Sequence, residues 1–229
     1  MLDVNKIYCG DNLPIMHQIG TASVDAVLTD PPYNIKKNYN QYADNMADKE
    51  FWDVITKTYE QIYRVLKDTC HLTFTCAQKQ IWVYRPMLEK IGFTFRHLGM
   101  WHNPARKAGS YPGMWPFAWE AIMDFTKGKK YKKLNNSNCV GFTDVFIEKP
   151  PSKKEVDHPA ARPVQTWKSL VELISTKHDI VLDPWGGSGT TALVCKSTGR
   201  NFILMELDEL YVKSANQRIT EMLPMDRLV

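Results

Sequence analysis

The stretch Asp30-Pro31-Pro32-Tyr33 restricts the folding of this chain more than any other four residues in it. It follows Val24-Asp25-Ala26-Val27-Leu28-Thr29, an alternating run rich in β-formers that predicts a buried strand. Beyond that strand the chain can neither extend the ladder nor turn into helix. Each proline lacks an N–H, and each holds the residue before it in extended geometry. A stiff tetrapeptide therefore stands at a strand's carboxyl end, the edge where open α/β sheets bind ligands. It offers an acceptor carboxylate, backbone carbonyls of nearly fixed direction and an aromatic face. Those groups suit a flat ring that carries an exocyclic amine.

A second strand, Ile180-Val181-Leu182-Asp183, also ends in a carboxylate. The glycine-rich turn Pro184-Trp185-Gly186-Gly187-Ser188-Gly189 follows it, and Thr190-Thr191-Ala192-Leu193 opens a helix. Phe202-Ile203-Leu204-Met205-Glu206 then predicts another strand ending in an acid, with Asp208 just beyond. Glycines at 186, 187 and 189 allow close approach of a ligand to the backbone.

Together these two stretches resemble the S-adenosylmethionine-dependent amino-methyltransferases of DNA. Those enzymes carry an Asp-Pro-Pro-Tyr catalytic motif and an Asp-Pro-Phe-x-Gly-Ser-Gly-Thr-Thr cofactor motif. Here the catalytic motif comes first, the circularly permuted order of the family's β group. The resemblance implies an α/β, Rossmann-like class I methyltransferase fold, a mostly parallel twisted sheet with helices on both faces. It implies one domain over residues 1–229: a catalytic half to about 101, a target-recognition insert over about 102–155, and a cofactor half over about 156–229. Asp30, Pro31, Pro32 and Tyr33 would be catalytic. The cofactor would lie on Asp183, Pro184, Trp185, Gly186, Gly187, Ser188, Gly189, Thr190 and Thr191, with its ribose hydroxyls on Glu206 and Asp208 nearby. Asp183 would face its ammonium group. Asp11, which also suits the N-cap of a following helix, would contact its adenine ring. His158-Pro159-Ala160-Ala161-Arg162-Pro163 resembles a His-Pro-x-x-Lys-Pro motif, so His158, Arg162 and Pro163 would touch its methionine end. Arginine stands where lysine is usual, and the two are not interchangeable at tight sites.

The implied partner is double-stranded DNA with its target base flipped out of the helix. A homodimer and a cognate restriction endonuclease are further candidate partners in such a family. Asp at the first motif position favours adenine N6 as the target, with cytosine N4 as the alternative. A catalytically silent DNA-binding homologue is a third reading, disfavoured by the intact tetrapeptide and Glu206. A glutamine or RNA-base methyltransferase usually leads its tetrapeptide with Asn, and Asp30 disfavours it.

Charge points the same way without deciding the matter. Net charge is +4 over 229 residues, but residues 96–154 hold 11 Lys and Arg against four Asp and Glu. That block fits a polyanion-facing surface or a solvated loop equally well. Lys129, Lys130, Lys132 and Lys133 are interleaved with Tyr131, an arrangement that suits backbone contact with stacking. Lys36 and Lys37, in an aperiodic polar stretch from Asn34 to Asp48 expected to act as a lid, and Arg106 and Lys107 complete the expected DNA contacts.

Other classes fit less well. Five cysteines without a C-x-x-C pair predict neither disulfide framework nor metal site, and none follows a proline as a carbon-5 methyltransferase nucleophile would. No Gly-Lys-Ser/Thr follows the glycines, which excludes a P-loop. Gly187-x-Gly189-x-x-Ala192 fits a loose dinucleotide fingerprint, but too little chain follows for a second mononucleotide half. No apolar run is long enough to span a membrane, and the first residues lack a signal peptide's core, so a cytoplasmic location is expected.

Overall fold

The computed structural model describes residues 2–36, 44–105, 117–135, 143–152, 154–156 and 158–221. Strands β1 (Lys6–Cys9), β2 (Ala26–Thr29), β3 (His71–Cys76), β4 (Phe93–His102), β5 (Trp119–Lys127), β6 (Val145–Ile147), β7 (Ile180–Asp183) and β8 (Asn201–Glu206) form one sheet. Its spatial order is β1-β8-β7-β2-β3-β5-β4-β6. Every pairing is parallel except those of β5, which runs antiparallel to both β3 and β4. The reason is the connection. The chain from β4 to β5 holds no helical crossover among the described residues, and His102 pairs with Trp119, so β5 returns as a hairpin partner.

Alternation within β2 sorts the core. Val27 packs with α1 (Asn12–Met16), α2 (Asp48–Val65) and α3 (Ile81–Ile91), through Met16, Tyr59, Ile62 and Leu88. Ala26 and Leu28 face the other side, against α4 (Val164–Ile174), α5 (Thr190–Ser197) and α6 (Glu209–Thr220), through Trp167, Val194 and Ala215. Successive strand residues point to opposite faces, so a strand covered on both sides is apolar throughout. Helices on both faces and a mostly parallel sheet agree with the expected class. None of the helices is long and apolar enough to cross a membrane among the described residues.

Gly92 ends α3 with φ 121°, and a side chain there would meet the Tyr63 hydroxyl at 2.9 Å. The span expected to carry target recognition contains two strands of the sheet, residues 119–127 and 145–147. Residues 121–126 are buried in the core, while at the sheet edge only Phe146 packs against it and Val145 and Ile147 are exposed.

Candidate active site

The chain passes from β7 to β8 on one side and from β2 to β3 on the other, so β2 and β7 flank the switch point of the sheet. Their carboxyl ends carry the two motifs. Asp183 closes β7 and is buried. Its Oδ1 accepts from Thr29 Oγ1 at 2.6 Å and from the Trp185 N–H at 3.1 Å, while Oδ2 accepts from Thr191 Oγ1 at 2.6 Å. Trp167 Nε1 donates onward to Thr191 Oγ1 at 3.1 Å. Burial pushes the Asp183 carboxyl up to about 6 against these donors. Asp183 lines the cavity at these strand ends, and its oxygens tie β2, the glycine turn and α5 together.

The glycines are required by the protein itself. A Cβ on Gly186 would lie 2.3 Å from Leu204 Cδ2, and the Gly186 N–H donates to the Met205 carbonyl at 2.7 Å. The turn is thus pressed against β8. Gly189, at φ 75°, would set a Cβ 2.7 Å from Ala215 of α6. Only at Gly187 would the added atom meet a site residue, His158, at 3.0 Å. Ser188 and Thr190 share a hydrogen bond at 3.2 Å and are held by Arg218, whose Nη1 donates to the Ser188 carbonyl at 2.9 Å.

Between turn and tetrapeptide lies a cavity of about 300 Å³ lined by Asp11, Asp30, Gly187, Glu206 and Asp208, among others. That volume is at the lower end for small-molecule sites. Glu206 ends β8, with Oε2 on the Gly187 N–H at 2.8 Å and Oε1 on the Asp208 N–H at 2.9 Å. Burial raises its carboxyl above the usual range, although both backbone donors oppose the shift. Asp208 caps α6 through Oδ1, and its buried Oδ2 has no hydrogen-bond partner among the described residues. An orphaned buried carboxylate oxygen calls for a donor, and a ligand hydroxyl in this cavity would supply one. Asp11 caps α1, accepting from the Leu13 N–H at 2.9 Å. His158 accepts from the Ala160 N–H at 3.1 Å and packs edge-on against Tyr211, and Pro163 is the N-cap residue of α4.

Across the cavity, Asp30 stands at the centre of a partly buried charged cluster. Its Oδ1 accepts from Thr75 Oγ1, from the Tyr33 hydroxyl at 3.0 Å and from Arg162 Nη2; its Oδ2 accepts from Arg162 Nε at 2.6 Å. Arg162 Nη1 reaches Glu120 Oε2 at 2.6 Å, and Nη2 also meets the Tyr33 hydroxyl at 2.9 Å. Burial raises the Asp30 carboxyl, with Arg162 pulling it back. Burial also works against the Arg162 charge, but Asp30 and Glu120 outweigh it and hold the guanidinium protonated. Arg162 lines the cavity and pairs with Asp30, because the fork geometry of arginine fits a carboxylate in two-point contact. Pro31 is buried, Pro32 lines the cavity, and the Tyr33 carbonyl is fixed by Gln80 Nε2 at 3.0 Å.

Glu120 was not foreseen. Its only sequence signal is a carboxylate one residue into a largely apolar strand that also holds Asp124, and 90 residues separate it from Asp30. The lysine cluster is displaced in the opposite sense. Because β5 is antiparallel, Lys129, Lys130, Lys132 and Lys133 follow it at the amino edge of β3, about 13 Å of strand from Thr75. Lys132 is an ion-pair partner of Asp179 at 2.8 Å. Lys36 lies near Tyr33, with its backbone N–H on the Asp44 carbonyl at 2.7 Å. Lys37, Arg106 and Lys107 lie outside the described residues, as does the middle of the expected lid.

Residues 24–217 match the N6_N4_Mtase family model, described as DNA methylase. The chain is 27% identical to Type II methyltransferase M.HpaI of Haemophilus parainfluenzae, over 93% of this chain and 74% of that one. It is 26% identical to DNA adenine methyltransferase YhdJ of Escherichia coli K12, over 95% and 83%. Among solved structures, the M1.HpyAVI–SAM complex superposes with a TM-score of 0.76 at 22% identity, covering 93% of this chain and 98% of that one.

Proposed function

This chain belongs to the N6_N4_Mtase family of DNA methylases, and we propose that it transfers a methyl group from S-adenosylmethionine to the N6 amine of adenine in DNA. One observation carries the reading: the Asp30 carboxylate and the glycine turn open onto the same 300 Å³ cavity. Glu206, the orphaned Asp208 oxygen and Gly187 would hold the ribose and amino-acid ends of the cofactor, and Asp11 its adenine. When bound, S-adenosylmethionine would supply an electrophilic methyl group to the amine, which these residues would hold in place.

The chain's own residues prepare that amine. An exocyclic amine is a poor nucleophile while its lone pair is delocalised into the ring. Asp30 and the Pro31 carbonyl, accepting its two N–H groups, favour a localised lone pair, and the ring of Tyr33 offers a stacking surface. The site then works by positioning and fixed charge. Duplex DNA would approach over the carboxyl edge of the sheet, where Lys36 is exposed and Trp82, in the first turn of α3, is 82% exposed. Opening the duplex delivers the base.

The test is to incubate the protein with labelled S-adenosylmethionine and unmethylated plasmid DNA and to identify the modified nucleoside. N6-methyladenine is expected; N4-methylcytosine would move the assignment to the other amine. Asp30→Ala should abolish transfer while cofactor affinity holds, and retained transfer would refute the role of Asp30. On the same reading, a second copy of the chain and an endonuclease of matching specificity are the expected partners. Sedimentation tests the first, and protection of cellular DNA from cleavage tests the second.

A further inference from the structure

We propose that Glu120 is a positioning residue that draws Arg162 away from Asp30 when the target base enters, leaving Asp30 free to accept the amine. The inference rests on the reading of Asp30 as amine acceptor.

In the structure, Asp30 has little room for another donor. A carboxylate has about four lone-pair sites. Here Thr75 and two arginine nitrogens occupy three, and the Tyr33 hydroxyl, whose one proton faces Asp30 and Glu120 alike, stands at the fourth. An entering amine N–H must displace one. Thr75 and Tyr33 are neutral and compatible with a charged carboxylate. Arg162 is a cation in two-point contact, and while it stays there it cancels the charge that would polarise the amine.

The neighbouring groups allow the guanidinium to move. Glu120 already holds Nη1 at 2.6 Å, so a shift toward β5 exchanges one carboxylate for another and leaves no buried cation unpaired. The Arg162 guanidinium carbon lies 5.1 Å from the Trp101 ring centroid, 5.7 Å from that of Tyr33 and 5.8 Å from that of Trp167. Aromatic faces accept a planar cation at more than one position. The Tyr33 hydroxyl lies 3.0 Å from Asp30 and 2.9 Å from Glu120, so its single proton can serve either carboxylate as the arginine moves. With both carboxyls ionised, two anions share one cation. The net charge of −1 then resides on whichever carboxylate the arginine leaves, and base entry would place it on Asp30, beside the nitrogen that becomes positive as the methyl group arrives.

A static strut, fixing the 158–163 segment to the sheet, would use the same contacts. The two accounts differ in what a neutral residue at 120 does. In Glu120→Gln the arginine has nowhere to go and stays on Asp30. Single-turnover methylation of unmethylated plasmid DNA at saturating cofactor should then slow by roughly 10- to 100-fold, while equilibrium affinities for cofactor and DNA stay within about threefold. Glu120→Asp, which keeps the charge, should recover at least half of that loss on a logarithmic scale. Adding Arg162→Gln to Glu120→Gln should raise the rate by about tenfold over Glu120→Gln alone, because Asp30 is then free. A strut predicts no such recovery. A wild-type rate in Glu120→Gln, an equal loss in Glu120→Asp, or a double variant no faster than the single would overturn the proposal. Asp30→Ala run in parallel separates the two levels: if it is inactive and the double variant shows no recovery, only this inference fails.

Discussion

The hydroxyl of Thr29, the last residue of β2, donates to the carboxylate of Asp183, the last residue of β7, across 2.6 Å. This bond fixes the catalytic strand against the cofactor strand at the point where Asp30 and Pro184 leave the sheet. Thr29 is fully buried and Asp183 is 3% exposed, so water cannot replace a missing donor. Thr29→Val keeps the shape and removes the hydroxyl. It should destabilise the protein by about 1–3 kcal/mol and weaken cofactor binding, read by urea denaturation and by titration. Unchanged values for both would show that the two strands are registered by packing alone.

Asp183 also predicts a pH dependence. Its carboxyl is raised from 3.8 to about 6 on folding, so the folded state holds its proton more tightly than the unfolded chain does. The stabilising effect of that proton is complete below about pH 4 and is lost as pH rises through 6, a change of about 3 kcal/mol. Relative to Asp183→Asn, the wild-type protein should therefore lose stability between pH 4 and pH 6 and run parallel above it. Denaturant midpoints at unit pH intervals measure this, and parallel curves throughout would refute it.

Gly186 tests why the turn is glycine. Its missing Cβ would fall 2.3 Å from Leu204 Cδ2, so Gly186→Ala must push the turn off β8 or move a fully buried leucine. A cost of about 1–3 kcal/mol is expected. Leu204→Ala alone should cost about 2–5 kcal/mol through its cavity. In the double variant the new methyl enters that cavity, so the two costs should sum to less than their separate values. Strict additivity would place the clash elsewhere.

The basic block supplies a negative prediction. Lys129, Lys130 and Lys133 lie at the amino edge of the sheet, beyond β5, while the cavity opens at the carboxyl edge. At physiological salt the screening length is about 8 Å. Changing all three to Ala should therefore alter DNA affinity by less than about twofold, which corresponds to well under 1 kcal/mol. A tenfold loss in a mobility-shift titration would mean that DNA reaches around the sheet.

Much of the site was legible because its constraints are local. Prolines at 31 and 32 end a strand whatever surrounds them, and the glycines at 186 and 189 mark a turn that side chains would jam. Short runs of β-forming apolar residues located β2, β3, β7 and β8 for the same reason. The charged partners of Asp30 were not legible. Arg162 was expected at the cofactor, and Glu120 was passed over as one acid in a strand, yet the two join Asp30 in one partly buried cluster.

What the sequence alone determined is the set of stiff and flexible points where strands stop, since these depend on backbone sterics within a few residues. What the tertiary structure decided is which distant charges meet there. The direction of β5 brings Glu120 to the carboxyl edge beside Asp30 and carries Lys129–Lys133 to the opposite one. That direction follows from pairing partners far apart in the chain, a long-range choice that no short window of residues encodes.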